Sequence, residues 1–239
     1  MGDMRFFRNI LAYLFAFLLV LLLFVPVLIV SGLCRYDNFL FTLSRFVLKT
    51  VLKIAGVKPR IKGMAAIDFS LPMVVVCNHV SNLDGPLLFS FLPFNPRALA
   101  KIETRRIPLI GLVLTLADFV FVDRKNPLRR QEALAEAVEK IKKKGYSFLV
   151  FPEGTRSKNG QIQNFKKGSF LIALKAGVPI LPVKISGSHS LLPPGKIGIR
   201  PGTVEIELFP PRFLTGIPED KLTEWIQDLQ QKIYQDKQP

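Results

Sequence analysis

The chain is poor in cysteine, histidine, tyrosine and acidic residues, and each shortage excludes something. Cys34 and Cys77 are the only two cysteines, and they stand in different contexts with no metal-ligand spacing. That excludes a disulfide-stapled scaffold or a cysteine-held metal centre and points to a reducing compartment. Only 18 acidic residues face 33 Lys plus Arg, a formal charge of +15 with a pI near 10.0. The partner surface is therefore anionic: nucleic acid, a phospholipid membrane or phosphorylated substrates. Tyr occurs 4 times against 20 Phe. Phe has no polar handle for reading bases, so the aromatics favour lipid and argue against nucleic acid. No internal repeat or low-complexity tract is present. What the chain does have is apolar residues, 49% of 239, with a mean hydropathy of +0.30. That excludes a disordered or collagen-like chain, and equally an ordinary soluble domain without one strongly apolar region. The length suits one α/β domain of roughly 150–200 residues plus a short appendage.

The hydropathy is concentrated at the N-terminus, where Ile10 to Val30 carries no charge. As a helix this run is roughly 30 Å long, about the thickness of bilayer hydrocarbon. Arg5 and Arg8 resemble a signal-peptide n-region. However, the run is too long for an h-region, and Cys34-Arg35-Tyr36-Asp37 offers no small-residue cleavage site. It reads as a retained membrane anchor. In the next segment, Asn38 to Val57, Arg45, Lys49 and Lys53 form one narrow basic stripe on a helix, with apolar residues over the rest. Three mid-helix cations are costly in hydrocarbon, so the reading is an interfacial helix rather than a lone span, with a core helix as the other choice. Together residues 1–57 form a two-helix membrane-anchoring hairpin, embedded from the cytoplasmic face, ahead of a domain spanning 58–239.

Beyond Lys58-Pro59 the pattern is globular. Met73–Cys77, Phe119–Val122, Ser147–Phe151, Ile180–Ile185 and Thr203–Leu208 read as short strands, several apolar on both faces. Helical patterns over Leu128–Lys144, Phe165–Lys175 and Glu219–Gln235 alternate with them. The fold class is α/β, with a largely parallel mixed sheet flanked by helices. Pro182 inside Ile180-Leu181-Pro182-Val183 suggests an edge or irregular strand.

Of two histidines, His189 lies in a polar Gly-Ser-His-Ser loop, whereas His79 directly follows the apolar strand in Asn78-His79-Val80-Ser81-Asn82-Leu83-Asp84. Sites in α/β folds gather beyond the carboxyl ends of strands. A loop of this length can return Asp84 to the imidazole, fixing its tautomer and supporting the imidazolium. Asp84, ahead of Gly85-Pro86, also suits a plain helix cap. Phe151-Pro152-Glu153-Gly154-Thr155-Arg156-Ser157 follows another strand and combines a carboxylate, a glycine, a hydroxyl and an arginine, as a phosphate-facing loop requires. An ordinary surface turn has a similar composition. A third strand ends in Asp123-Arg124-Lys125. Cys77, two residues before His79, is either a core cysteine or an acyl-carrying nucleophile, and its apolar neighbours favour the core.

Taken in order, NHVSNLD, FVDRKN, FPEGTRS and VPILPV resemble the four blocks of bacterial 1-acylglycerol-3-phosphate acyltransferases, of the glycerolipid acyltransferase superfamily, over Val74 to Ser186. The resemblance implies transfer of an acyl group from an acyl thioester, acyl-CoA or acyl-carrier protein, to the 2-hydroxyl of lysophosphatidic acid. It implies His79 as general base, oriented by Asp84. Lys101, Arg124 and Arg156 would hold the phosphate, and Glu153, Gly154 and Thr155 would position the glycerol. It implies no metal and no cofactor, and a place on the cytoplasmic face of the inner membrane. Two other readings stand beside it. One is a related acyltransferase acting on glycerol-3-phosphate or another lysolipid. The other, from a different class, is a non-enzymatic basic protein that binds anionic lipid.

Overall fold

The computed structural model describes residues 37–235 and, within the N-terminal apolar segment, six helical positions: Phe7, Ile10, Leu11, Leu14, Phe15 and Leu18. The membrane-anchor reading of Ile10–Val30, and with it the first arm of the expected hairpin, otherwise lies outside the described residues. Among the described residues no helix is long and apolar enough to cross a membrane.

Seven strands form one sheet in the order β1-β7-β6-β2-β5-β3-β4. They are β1 (Val57–Lys62), β2 (Val74–Cys77), β3 (Arg97–Lys101), β4 (Val120–Val122), β5 (Phe148–Val150), β6 (Ile180–Ser186) and β7 (Gly202–Leu208). The helices are α1 (Asp37–Ile54), α2 (Asp84–Phe91), α3 (Ile110–Leu116), α4 (Pro127–Lys144), α5 (Gly168–Ala176), the single turn α6 (Ser188–Leu191) and α7 (Leu222–Gln230). All five expected strands are present within a residue or two; of the three expected helices, Leu128–Lys144 matches to a residue, while the other two begin three residues late and the last ends its α-helix at Gln230. Strands β2 through β6 run parallel, and β6–β7 is the antiparallel pair. The central strands are apolar on both faces because each face is covered. Val75 and Cys77 pack into one core with Leu87 and Leu88 of α2, while Val74 and Val76 pack into the other with Phe170 and Ile172 of α5.

Three expectations are corrected. First, β6 is interior, between β7 and β2, not an edge. Pro182 makes β6 the irregular strand it suggested, tolerated because the register to the neighbouring segment, β7 and the residues after it, slips beside it. Ile180 bridges Arg212, yet Val183 pairs with Leu208, so the missing N–H falls at a bulge. Second, α1 does not offer its broad apolar face to lipid: Leu40, Phe41, Val47 and Leu52 are buried against the domain. Arg45, assigned by its stripe to lipid phosphates, donates instead to the carbonyls of Phe89 and Phe94 and to Asn95 Oδ1. Phe39 and Phe46 remain exposed on the other side of the helix. Third, the boundary drawn after Val57 falls inside β1.

Strands β1 and β3, helix α3 and the turn α6 were not anticipated, and α2 was foreseen only as the helix that Asp84 could cap. Their patterns explain this: β1 reads VKPRIK, polar with a proline, and is the sheet's edge. β3 begins at Arg97, an unusual core residue whose guanidinium lies between the rings of Phe41 and Tyr146 at 4.5 and 3.9 Å.

Candidate active site

Because β2 through β6 are parallel, their carboxyl ends share one edge of the sheet, and the residues just past them converge there. His79 and Asp84 follow β2, Glu153 to Arg156 follow β5, Arg124 follows β4, Ser188 follows β6 and Lys101 ends β3.

Asp84 is wholly buried among hydrogen-bonding partners. Its Oδ2 accepts the N–H groups of Val80 and Ser81 at 2.8 Å each and faces His79 Nδ1 at 2.9 Å. Its Oδ1 accepts the Ser188 hydroxyl at 2.7 Å. With Asp84 as a carboxylate, Nδ1 of His79 is the donor in this pair, the tautomer that leaves the Nε2 lone pair free. Asp84 opens α2, but its carboxylate binds N–H groups upstream of the helix rather than capping its first turn. The plain-cap reading is thereby set aside.

The imidazole is held from its face as well. Its ring stacks on Phe151 at 3.9 Å between centroids, with 16° between planes. The side chain stays 19% exposed, which leaves a route for substrate. The peptide frame beneath is tied down by Asn78, whose amide exchanges two bonds with the Ile185 backbone at 2.8 and 2.9 Å.

Glu153 is buried, and its two oxygens accept the N–H groups of His79 at 2.6 Å and Gln163 at 3.0 Å. Burial raises its carboxyl to about 7, against the lowering effect of those two bonds; nearby Asp84 adds a smaller upward push. Glu153 thus splints the histidine loop to the loop after β5. Ser157 N–H completes the splint by donating to the His79 carbonyl at 2.9 Å.

The cations lie around Gly154. Arg124 donates to the Gly154 carbonyl, and Arg156 donates to Asn82 Oδ1. The two guanidiniums are close enough for Arg156 to lower the Arg124 pKa, after burial and the opposing pull of Glu103. Gly154 has φ +75°, and a Cβ there would sit 3.0 Å from the Lys166 ammonium. Only glycine takes that conformation freely, and its missing side chain lets Lys166 lie over the loop. No ion pair among the described residues neutralises Arg156 or Lys166. Thr155 is exposed on this loop, whereas Lys101 pairs with Glu103 at 3.0 Å. A dense positive patch beside an imidazole base suits a phosphate monoester whose hydroxyl is to be deprotonated.

Cys77 is fully buried, and burial holds its thiol well above the ordinary range, with Asp84 and Glu153 adding to the effect. A neutral buried thiol is a poor nucleophile.

A protein-family model described as Acyltransferase matches residues 58–186, more than half of the chain. The chain belongs to the acyltransferase family. Among the family's characterised members, a 1-acyl-sn-glycerol-3-phosphate acyltransferase of Cocos nucifera is 33% identical over 154 residues, 64% of this chain and 50% of that protein. One of Borreliella burgdorferi is 34% identical over 151 residues, 63% of this chain and 60% of that protein. The chain thus spans about half to three-fifths of the length of these two relatives. The crystal structure of the 1-acyl-sn-glycerophosphate acyltransferase PlsC from Thermotoga maritima superposes with a TM-score of 0.78. It covers 94% of each chain at 30% identity.

Sequence reasoning missed Ser188, Asn82 and Lys166 in this family site. Ser188 lies 104 residues from Asp84, in the loop set aside as merely polar, and no local pattern links the two. Lys166 had a faint signal, since Phe165-Lys166-Lys167-Gly168 closely follows the FPEGTRS loop.

Proposed function

We propose that this chain is a 1-acylglycerol-3-phosphate acyltransferase, acting at the cytoplasmic face of a phospholipid membrane. The observation that carries the reading is the His79–Asp84 pair opening beside the Arg124–Arg156 patch on one sheet edge. Arg124 and Arg156 hold the lysophosphatidate phosphate, and Glu153 and Gly154 shape the glycerol position. Nε2 of His79 takes the proton of the 2-hydroxyl as its oxygen attacks the thioester carbonyl carbon. The tetrahedral intermediate collapses, the C–S bond breaks, and the departing thiolate of acyl-CoA or acyl-carrier protein recovers the proton from Nε2. The products are phosphatidic acid and the free thiol carrier. General-base help contributes roughly 10²–10⁴-fold, and orientation of the two substrates can lower the barrier by about 7–11 kcal/mol. Acyl thioesters are cytoplasmic, which is the support for the proposed membrane face, and the charge-free Ile10–Val30 run supports a membrane anchor.

The test is a purified-protein assay with a panel of lysolipids and both donor types. Transfer should require a phosphate monoester acceptor. His79→Ala should abolish turnover with the circular dichroism spectrum unchanged, because the His79 backbone N–H to Glu153 survives the substitution. Near-native activity in that variant overturns the mechanism, and absence of any acyl transfer by the native protein returns the chain to the lipid-binding class.

A further inference from the structure

Past the end of β3 the chain turns through a short 3-10 segment, Ile102–Arg106, and then presents an unusual surface. Ile107, Leu109, Ile110 and Leu112 are 45%, 40%, 51% and 49% exposed, four large aliphatic side chains within six residues. Single exposed apolar residues are ordinary on protein surfaces, whereas a contiguous group calls for a partner.

The group is held rigidly. Leu109 has φ 62° and ψ −51°, and Ile110 N–H donates to the Pro108 carbonyl at 2.7 Å across it. This is a γ-turn of the rare positive-φ kind, costly for a leucine. A Cβ at Gly111 would lie 2.1 Å from the Arg105 carbonyl oxygen, so the two ends of the turn are in backbone contact. The result is a preformed apolar knuckle rather than a loose loop.

Its rim is basic. Arg105 and Arg106 directly precede it and are exposed, Arg105 with its guanidinium 5.6 Å from the Phe121 ring, while the acid on the same turn, Glu103, is paired with Lys101. Leu109 and Ile110 also line an apolar cavity of about 300 Å³ with Val47 and Leu48 of α1. The knuckle rises from the same sheet edge as His79, because β3 is parallel to β5 and through it to β2.

We propose that Ile107–Leu112 is a lipid-contacting knuckle, seated among acyl chains at an anionic bilayer surface with Arg105 and Arg106 at the phosphates. An aliphatic tip with no hydrogen-bonding side chain and a cationic collar is the chemistry an anionic bilayer accepts. The contact is distant in sequence from Ile10–Val30, and it places the His79 edge of the sheet at headgroup depth. It rests on the acyltransferase reading only in that the acceptor is a membrane lipid.

The test uses the full chain carrying Ile110→Trp. The native Trp225 is an internal reference, packed in the core 6.2 Å from the Phe170 ring. Vesicles of phosphatidylethanolamine and phosphatidylglycerol are prepared with and without bromine on the phosphatidylglycerol acyl chains. Emission of Ile110→Trp should be quenched by the brominated vesicles, while that of the native chain should not. Equal emission in both vesicles overturns the proposal. So does a blue shift that grows with protein concentration without lipid, which assigns the knuckle to a second copy of the chain. In a second arm, Ile110→Ser/Leu112→Ser should raise the KM for long-chain lysophosphatidate in vesicles about tenfold, a loss of one decade in apparent affinity. Turnover of a short-chain lysophosphatidate in free solution should be unchanged. Matching losses on both substrates also overturn the proposal. If the native chain transfers no acyl group to the soluble substrate, the acyltransferase reading fails, while the quenching result still decides the knuckle.

Discussion

Asp84 and Glu153 show how two buried carboxyls take different tasks through their contacts. Asp84 has four hydrogen-bond partners, one of them the imidazole of His79, whereas Glu153 meets two backbone N–H groups. The Glu153 carboxyl, raised by burial to about 7, has a definite linkage consequence. Between the ordinary carboxylate range and about 7, the folded chain binds this proton more readily than the unfolded chain does. The contribution of Glu153 to stability is therefore fully present at low pH and is lost as pH rises through about 7, by an amount on the order of 3 kcal/mol. Glu153→Gln removes that titration. The melting temperature of this variant, relative to native protein, should rise as pH is raised from about 5 to about 8. Parallel Tm curves for the two proteins would show that Glu153 does not titrate in that window.

At the scale of elements, α1 illustrates how a charge stripe divides once it meets a fold. Arg45 is drawn inward to the carbonyls that end α2 and the turn beyond it, Lys49 rides over the Phe91 ring at 5.3 Å, and Lys53 stays in solvent. Burial lowers the Arg45 pKa, as expected for a guanidinium moved from water to protein carbonyls. Arg45→Met should cost about 1–3 kcal/mol, because the carbonyls of Phe89 and Phe94 and the Asn95 amide lose a charged donor. Lys53→Met should change stability by less than about 0.5 kcal/mol. Urea unfolding of both variants checks this, and equal midpoints would show that Arg45 is not what fastens α1.

For the molecule as a whole, the decisive arrangement is the common edge formed by five parallel strands. It brings the His79–Asp84 pair, the Glu153 splint and several cations together from segments more than a hundred residues apart. Arg156→Ala should raise the KM for lysophosphatidate, with any fall in kcat the smaller effect. The expected loss in kcat/KM is about 1.5–3 kcal/mol, the range for a hydrogen bond to a charged group. Steady-state kinetics varying each substrate in turn checks it. If only the KM of the acyl donor rises, Arg156 belongs to the donor side of the site.

Sequence alone determined the class of fold, five of the seven strand segments and the loops that carry His79, Glu153, Arg124 and Arg156. It could do so because central strands covered on both faces must be continuously apolar, and polar chemistry can begin only where those runs stop. The edge strand β1 and the arginine-led β3 lacked that signature, since one is half solvated and the other buries its charge between two rings. Only the tertiary structure decided that β6 lies inside the sheet, where a register slip absorbs Pro182. Only the tertiary structure supplied Ser188 to Asp84, laid Lys166 over Gly154 and turned Arg45 inward. These are contacts across 104, 12 and about 50 residues of chain, set by strand order and helix packing, and strand order is a property of the whole sheet that no single segment encodes.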